Sequence, residues 1–246
     1  MRHRLSPLLL ILALAACGGA SAGGGGGDDP PAARMVDGKP VGLFFMTRFW
    51  SYTNSLEKAV WYFAPDGRVY QNLASGFSAA DLAAHQGNQG TYEVADGKLK
   101  VTWADNKVTE GTIAADAGGF GWDGGIFTAV KPFEEGKALA GTYEGGESFN
   151  TGGGNSASAS NTIELRPDGT YRRVGVASVQ STSSESVVEA GSESGADGKW
   201  EVAGYSLVLT GADGKVQRGI AFPYDDKETP VYPDRMYFGG TMYKRQ

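Results

Sequence analysis

The feature that most constrains this chain is that it repeats itself. Residues 90–111 read GTYEVADGKLKVTWADNKVTEG, and residues 198–219 read GKWEVAGYSLVLTGADGKVQRG. At a constant offset of 108, without gaps, 11 of the 22 positions are identical. Unrelated sequence of ordinary composition would match at about one or two. Two copies of one structural unit are the natural source of such self-similarity, so the fold has to build the same unit twice. Flanking features keep the same order. Pro65-Asp66-Gly67 answers to Pro167-Asp168-Gly169, Gly42-Leu43-Phe44 to Gly141-Thr142-Tyr143, and Trp122-Asp123-Gly124-Gly125 to Tyr237-Phe238-Gly239-Gly240. The copies therefore span 40–130 and 139–246, joined by 131–138.

Within the repeat, Leu99, Val101 and Trp103 alternate with Lys98, Lys100 and Thr102, and Leu207 and Leu209 alternate with Ser206 and Thr210. Period two is that of a strand with one buried face. Asp-Gly occurs at 37, 66, 96, 123, 168, 197 and 213, mostly between such runs, where tight turns need positive φ. Glycine supplies 38 of 246 residues, too many for long helices. One short helix is expected at 79–85 with Ser78 as its N-cap. The expected class is all-β: two tandem, diverged strand meanders of about six strands each. Two small barrels, one larger closed barrel or a sandwich would each satisfy the pattern. Most runs are shorter than the 9–11 residues of a transmembrane barrel strand. The second copy carries two inserts, 145–160 and 177–196, rich in Gly, Ser and Glu. They are expected to be solvated surface loops. Glycine-aromatic starts, Asp-Gly hairpins and the Gly-x-Tyr/Trp-x-Val strands at 90–94 and 198–202 resemble bacterial lipocalin-like β domains.

The N-terminus has its own logic. Arg2 and Arg4 precede a mostly apolar run over 5–14, the pattern of an export signal too short to span a bilayer. It ends in Leu14-Ala15-Ala16-Cys17, which resembles the lipobox of bacterial lipoproteins. That resemblance implies cleavage after residue 16 and a diacylglyceryl group on Cys17. Gly18 and Gly19 stand where aspartate would favour the inner membrane, which implies the outer membrane if the host is Gram-negative. The expected partner of this end is thus the membrane, through the lipid. Residues 17–34 form a glycine-rich tether with a reach on the order of 20 Å.

The remaining chemistry is sparse. Without 1–16 the chain has 20 basic and 28 acidic side chains, a balance of −8, which argues against nucleic acid. His85 and Cys17 are the only histidine and cysteine left. A His/Cys metal site or a Ser-His-Asp site therefore has almost nothing to draw on, and no cofactor is expected. Glu93 and Glu201, kept by the repeat, could pair as in a glycosidase, but on alternating strands they are expected to face solvent. Residues 118–123, GGFGWD, match part of a calcium-binding nonapeptide in a single copy, where stacked copies are needed. The acidic run 225–228 lacks EF-hand spacing. Four of the five tryptophans lie in the first copy. Trp61, Trp103 and Trp122 are therefore the candidate contacts for a small apolar ligand or a sugar, against a plain core role. The expected function is a non-catalytic binding or interaction module on a lipid anchor. A lipocalin-like carrier of a small apolar ligand is the first alternative, and an envelope hydrolase using paired carboxylates the second.

Overall fold

The computed structural model describes residues 29–134, 139–152, 155–183, 186–224 and 233–246, with backbone alone at 147–152, 155–159, 177–183 and 186–194. Cys17, the signal and most of the tether lie outside the described residues, as does the run 225–228. The architecture is nearly all strand, in two barrel-like sheets.

A short strand β1 (Arg34–Val36) turns at Asp37-Gly38 into β2 (Lys39–Trp50). The first copy continues with β3 (Ser55–Phe63), β4 (Arg68–Gln71), helix α1 (Ala79–Ala84), β5 (Gln89–Ala95) and β6 (Lys98–Trp103). It ends with β7 (Val108–Thr112), β8 (Ala114–Asp116), β9 (Gly119–Trp122) and β10 (Gly125–Ala129). The second copy holds β11 (Gly141–Gly152), β12 (Asn155–Leu165), β13 (Thr170–Ser183), β14 (Ser186–Ala203), β15 (Ser206–Gly211), β16 (Val216–Pro223), β17 (Arg235–Phe238) and β18 (Thr241–Arg245). Each strand pairs antiparallel with its neighbour, and β11 pairs with β18 to close an eight-stranded barrel.

The first copy follows the same strand order, with β2 pairing β10, in a barrel-like sheet that ends at β7 and β8. Its β7 and β8 are one strand interrupted at Ile113, the counterpart of the unbroken β16. The bond from Ile113 N–H to Gly97 C=O (2.9 Å) recurs 108 residues on, from Ala221 N–H to Tyr205 C=O (2.8 Å). Pairing registers agree throughout. Gly90 opposite Trp103 becomes Gly198 opposite Gly211, Phe63 opposite Val69 becomes Leu165 opposite Tyr171, and Phe44 opposite Ala129 becomes Tyr143 opposite Arg245. The duplication seen in the letters is a duplication of register.

Four expectations need correction. Each copy has eight strand positions rather than about six, because segments of three to five residues such as β4 and β8 carry too few side chains to show a period. Asp197 lies within β14 opposite Arg172, so its Asp-Gly is not a turn. Trp122 opposite Gly125 matches Phe238 opposite Thr241. The counterpart of Trp122 is therefore Phe238, one residue from the Tyr237 suggested by aligning the glycines. A slip of one residue reverses the face: Phe238 is in the core of its barrel and Tyr237 points out of it. Finally, the inserts are strand rather than loop. Pairing of β11 with β12 runs on to Gly152 opposite Asn155, and β13 with β14 to Ser183 opposite Ser186. Once Leu165 and Tyr171 are held in register, each further pair satisfies backbone groups with no new loop to close. Lack of apolar surface excludes a buried face, not a strand.

Inward residues fill both barrels from equivalent positions. Phe44, Phe63, Tyr92, Leu99, Val101, Phe120, Trp122 and Phe127 occupy the first interior. Tyr143, Leu165, Trp200, Leu207, Leu209, Met236, Phe238 and Tyr243 occupy the second. Helix α1 is capped as expected: Ser78 Oγ accepts from Asp81 N–H (3.1 Å), and the Asp81 carboxylate accepts from Ser78 N–H and Oγ–H. No helix among the described residues is long and apolar enough to cross a membrane.

Candidate functional site

The three candidate tryptophans come together in the first barrel. Trp61 and Trp122 are each 2% exposed, and Trp103 is half-buried. The Trp61 ring lies 5.4 Å from Trp103, 5.8 Å from Trp122 and 5.4 Å from Phe127, each edge to face. Trp122 Nε1–H donates to Leu99 C=O (3.1 Å) and Trp103 Nε1–H to Thr109 Oγ1 (3.0 Å). Further along β2, Arg48 pairs with Asp123 (3.0 Å) and Glu57 (3.6 Å) and lies over Trp50. An eight-stranded barrel has room for its side chains or for one small ligand. Here rings in contact take up that room.

Other candidates are placed separately. His85 terminates α1, its Nε2 3.3 Å from Asn88 C=O and its ring edge-on to Tyr70. Glu93 and Glu201 face solvent on different barrels. Lys100 bonds Glu93 (2.9 Å) and holds its carboxyl below the usual range, the opposite of the shift a general acid needs. In the 118–123 segment, Asp123 is already paired with Arg48. Among the described residues no cluster of three or more His, Cys, Asp or Glu could hold a metal.

A seam that no repeat pattern announces runs between the barrels. Leu43, Phe45, Val60, Tyr62 and Tyr70 project outward from β2–β4, and Tyr205, Ile220, Phe222 and Tyr237 project outward from the second barrel to meet them. Phe45 touches both Phe222 and Tyr237 (ring centroids 5.9 Å), which stack on each other at 4.8 Å. Tyr205 Oη–H donates to Val130 C=O (2.9 Å). Burial raises the Tyr205 and Tyr237 hydroxyls to about 12.

The seam opens into a cleft of about 430 Å³. Its floor is apolar, formed by Phe45 and Leu73 from one barrel and Tyr237 and Met242 from the other. Its rim carries Lys58 and Asn72 from the first barrel, and Gln217 and Arg218 from the second. Local folding fixes most of these. Asn72 has φ +55°, a conformation asparagine tolerates better than most residues. Its Oδ1 accepts from Val60 N–H (2.9 Å), and its own N–H donates to Val60 C=O (2.7 Å). Arg218 Nε–H donates to Ser206 Oγ (3.1 Å), and Gln217 Oε1 accepts from Arg173 (3.0 Å). Sequence reasoning missed the cleft because its halves lie about 150 residues apart on faces that differ between the copies. Comparison with protein-family models, curated proteins and solved structures finds no match to the chain.

Proposed function

We propose that this is a lipid-anchored cell-envelope protein, held through Cys17 at the outer membrane if the host is Gram-negative, whose two-barrel body is a non-catalytic binding module. The cleft between the barrels is its binding site. That cleft is the observation that carries the reading: an open, part-apolar concavity of ligand size with polar groups from both barrels converging on it. A carrier using the first barrel's interior would have to part the Trp61, Trp103 and Trp122 rings, whereas the cleft needs no such opening. The described end of the tether, residues 31–33, lies away from Lys58 on the rim. Pro31 and Ala33 pack at Gly42, while Lys58 lies opposite Thr47, five residues or about 16 Å further along β2.

Two measurements test this. Cys17→Ser should abolish acylation and move the protein out of the membrane fraction; a variant that stays membrane-bound refutes the anchor. Native mass spectrometry of the protein taken from its own envelope should show an added mass, and Phe45→Ala together with Tyr237→Ala should remove it. An added mass that survives both substitutions places binding elsewhere.

A further inference from the structure

We propose that the inter-barrel cleft selects a small organic anion, a phosphoryl or carboxyl group on an apolar body, with the anionic group held between Lys58 and Arg218. This rests on the cleft being the binding site and adds the class of ligand.

The hydrogen-bonding sense of the rim points to an acceptor-rich ligand. Asn72 Oδ1 already accepts from Val60 N–H, and its Nδ2 brings two donors. Gln217 Oε1 already accepts from Arg173, and its Nε2 brings two more. Lys58 and Arg218 carry donors only. The side chains that converge on the rim therefore present donors, and a ligand that satisfies them is rich in acceptors. Charge agrees with this. The chain carries 28 acidic against 22 basic side chains, yet none of the twelve described residues lining the cleft is acidic and two are cations.

The cations are also differently prepared. Ser206 holds Arg218 Nε, leaving its two Nη groups as a fork suited to a carboxylate or phosphate. Those groups also face the loop before α1, where Nη2 comes within 3.2 Å of the space a Cβ on Gly76 would occupy. Asp81, whose carboxylate accepts from Ser75 and Ser78, also lies close enough to Arg218 for the guanidinium to help lower its pKa, so a bound anion would share Arg218 with it. Lys58, like Lys39, Lys131, Lys199 and Lys244, has no ion-pair partner among the described residues, and of these it alone lines the cleft. Beneath these donors, Phe45, Leu73, Tyr237 and Met242 offer an apolar surface that a bare ion would leave unused.

The test is calorimetric titration of the full chain in detergent with four probes: phenyl phosphate, inorganic phosphate, benzyl alcohol and a short-chain phosphatidic acid. Phenyl phosphate should bind at one site and weaken as salt is raised. Lys58→Met and Arg218→Met should each weaken it about tenfold or more, as loss of a charged hydrogen bond does, and Lys58→Arg should restore most of the loss. Both side chains are exposed, so unchanged thermal unfolding of the variants separates lost recognition from lost folding. A tighter phosphatidic acid would assign the anion to a lipid headgroup, and a tighter phenyl phosphate to a soluble molecule; both support the class. Inorganic phosphate binding as tightly as phenyl phosphate overturns the apolar half. Benzyl alcohol binding as tightly, with a loss in Phe45→Ala, overturns the anion while leaving the cleft as a binding site. No binding by any probe overturns the proposal, and an added mass in the native spectrum would still leave the binding module standing.

Discussion

Gly90 and Gly198 have no side chain because the next strand leaves no room for one. A Cβ at Gly90 would run into Thr102 C=O, and one at Gly198 into Thr210 C=O, the same contact 108 residues on. Two residues later the ring of each copy ties back to the turn before Asp-Gly. The single Tyr92 Oη–H is shared between Ala64 C=O (3.1 Å) and Pro40 C=O (2.9 Å), and Trp200 Nε1–H donates to Arg166 C=O (2.9 Å). The Gly-x-aromatic signature is therefore a close strand approach followed by an anchor. Gly90→Ala and Gly198→Ala should each destabilise the protein by about 1–3 kcal/mol, the usual range for forced overpacking, as read from urea unfolding. Losses below a few tenths would show that the strands can simply move apart.

Among the described elements, α1 is the one departure from the strand meander, and its connection carries Leu73 to the cleft and Phe77 to the seam. Its six residues are too few to hold a helix alone, so the cap and the packing of Leu82 decide it. Hydrogen bonds from Ser78 and Ser75 keep the Asp81 carboxyl below its usual range. A carboxyl lowered in the folded state adds stability above its unfolded pKa and loses it as pH falls through the folded one. Ser78→Ala should thus cost about 1 kcal/mol at neutral pH, and the difference from the parent should shrink in acid. A penalty that does not change with pH would mean that the Asp81 carboxylate takes no part.

For the molecule as a whole, each barrel has one outward apolar face, and the two faces are not equivalent. Where the first copy offers Leu43, Phe45, Val60, Tyr62 and Tyr70, the second has Thr142, Glu144, Thr162, Glu164 and Arg172 at the matching register. Where the second offers Tyr205, Ile220, Phe222 and Tyr237, the first has Gly97, Thr112, Ala114 and Gly121. Head-to-tail contact between like units can run on without closing. Here the two outer faces have diverged from the two that meet in the seam. Phe45→Glu, which installs the residue of the second copy's counterpart, should cost about 3 kcal/mol or more by burying an unpaired charge. It should also split thermal unfolding into two transitions as the barrels uncouple. A single unshifted transition would refute the seam as a source of stability.

What the sequence by itself determined was the local and the repeated. Strand period, the short helix with its Ser78 cap and the duplication were legible because a strand's alternation, a helix cap and an internal repeat are properties of neighbouring letters. The excess of tryptophan in the first copy pointed to Trp61, Trp103 and Trp122, but their meeting was not legible, since β3, β6 and β9 do not pair with one another and bring the rings together only across the barrel. The choice of two barrel-like sheets depended on which strands meet at the ends of each meander, and in the first copy that contact joins β2 to β10 across some 80 residues. Phe45 and Tyr237 read as ordinary aromatics until β2 and β17 are brought face to face, and Lys58 and Arg218 as ordinary surface charges. Faces are set by register within a copy, but a seam is set by the match between copies. Only the tertiary structure makes that match, and with it the cleft.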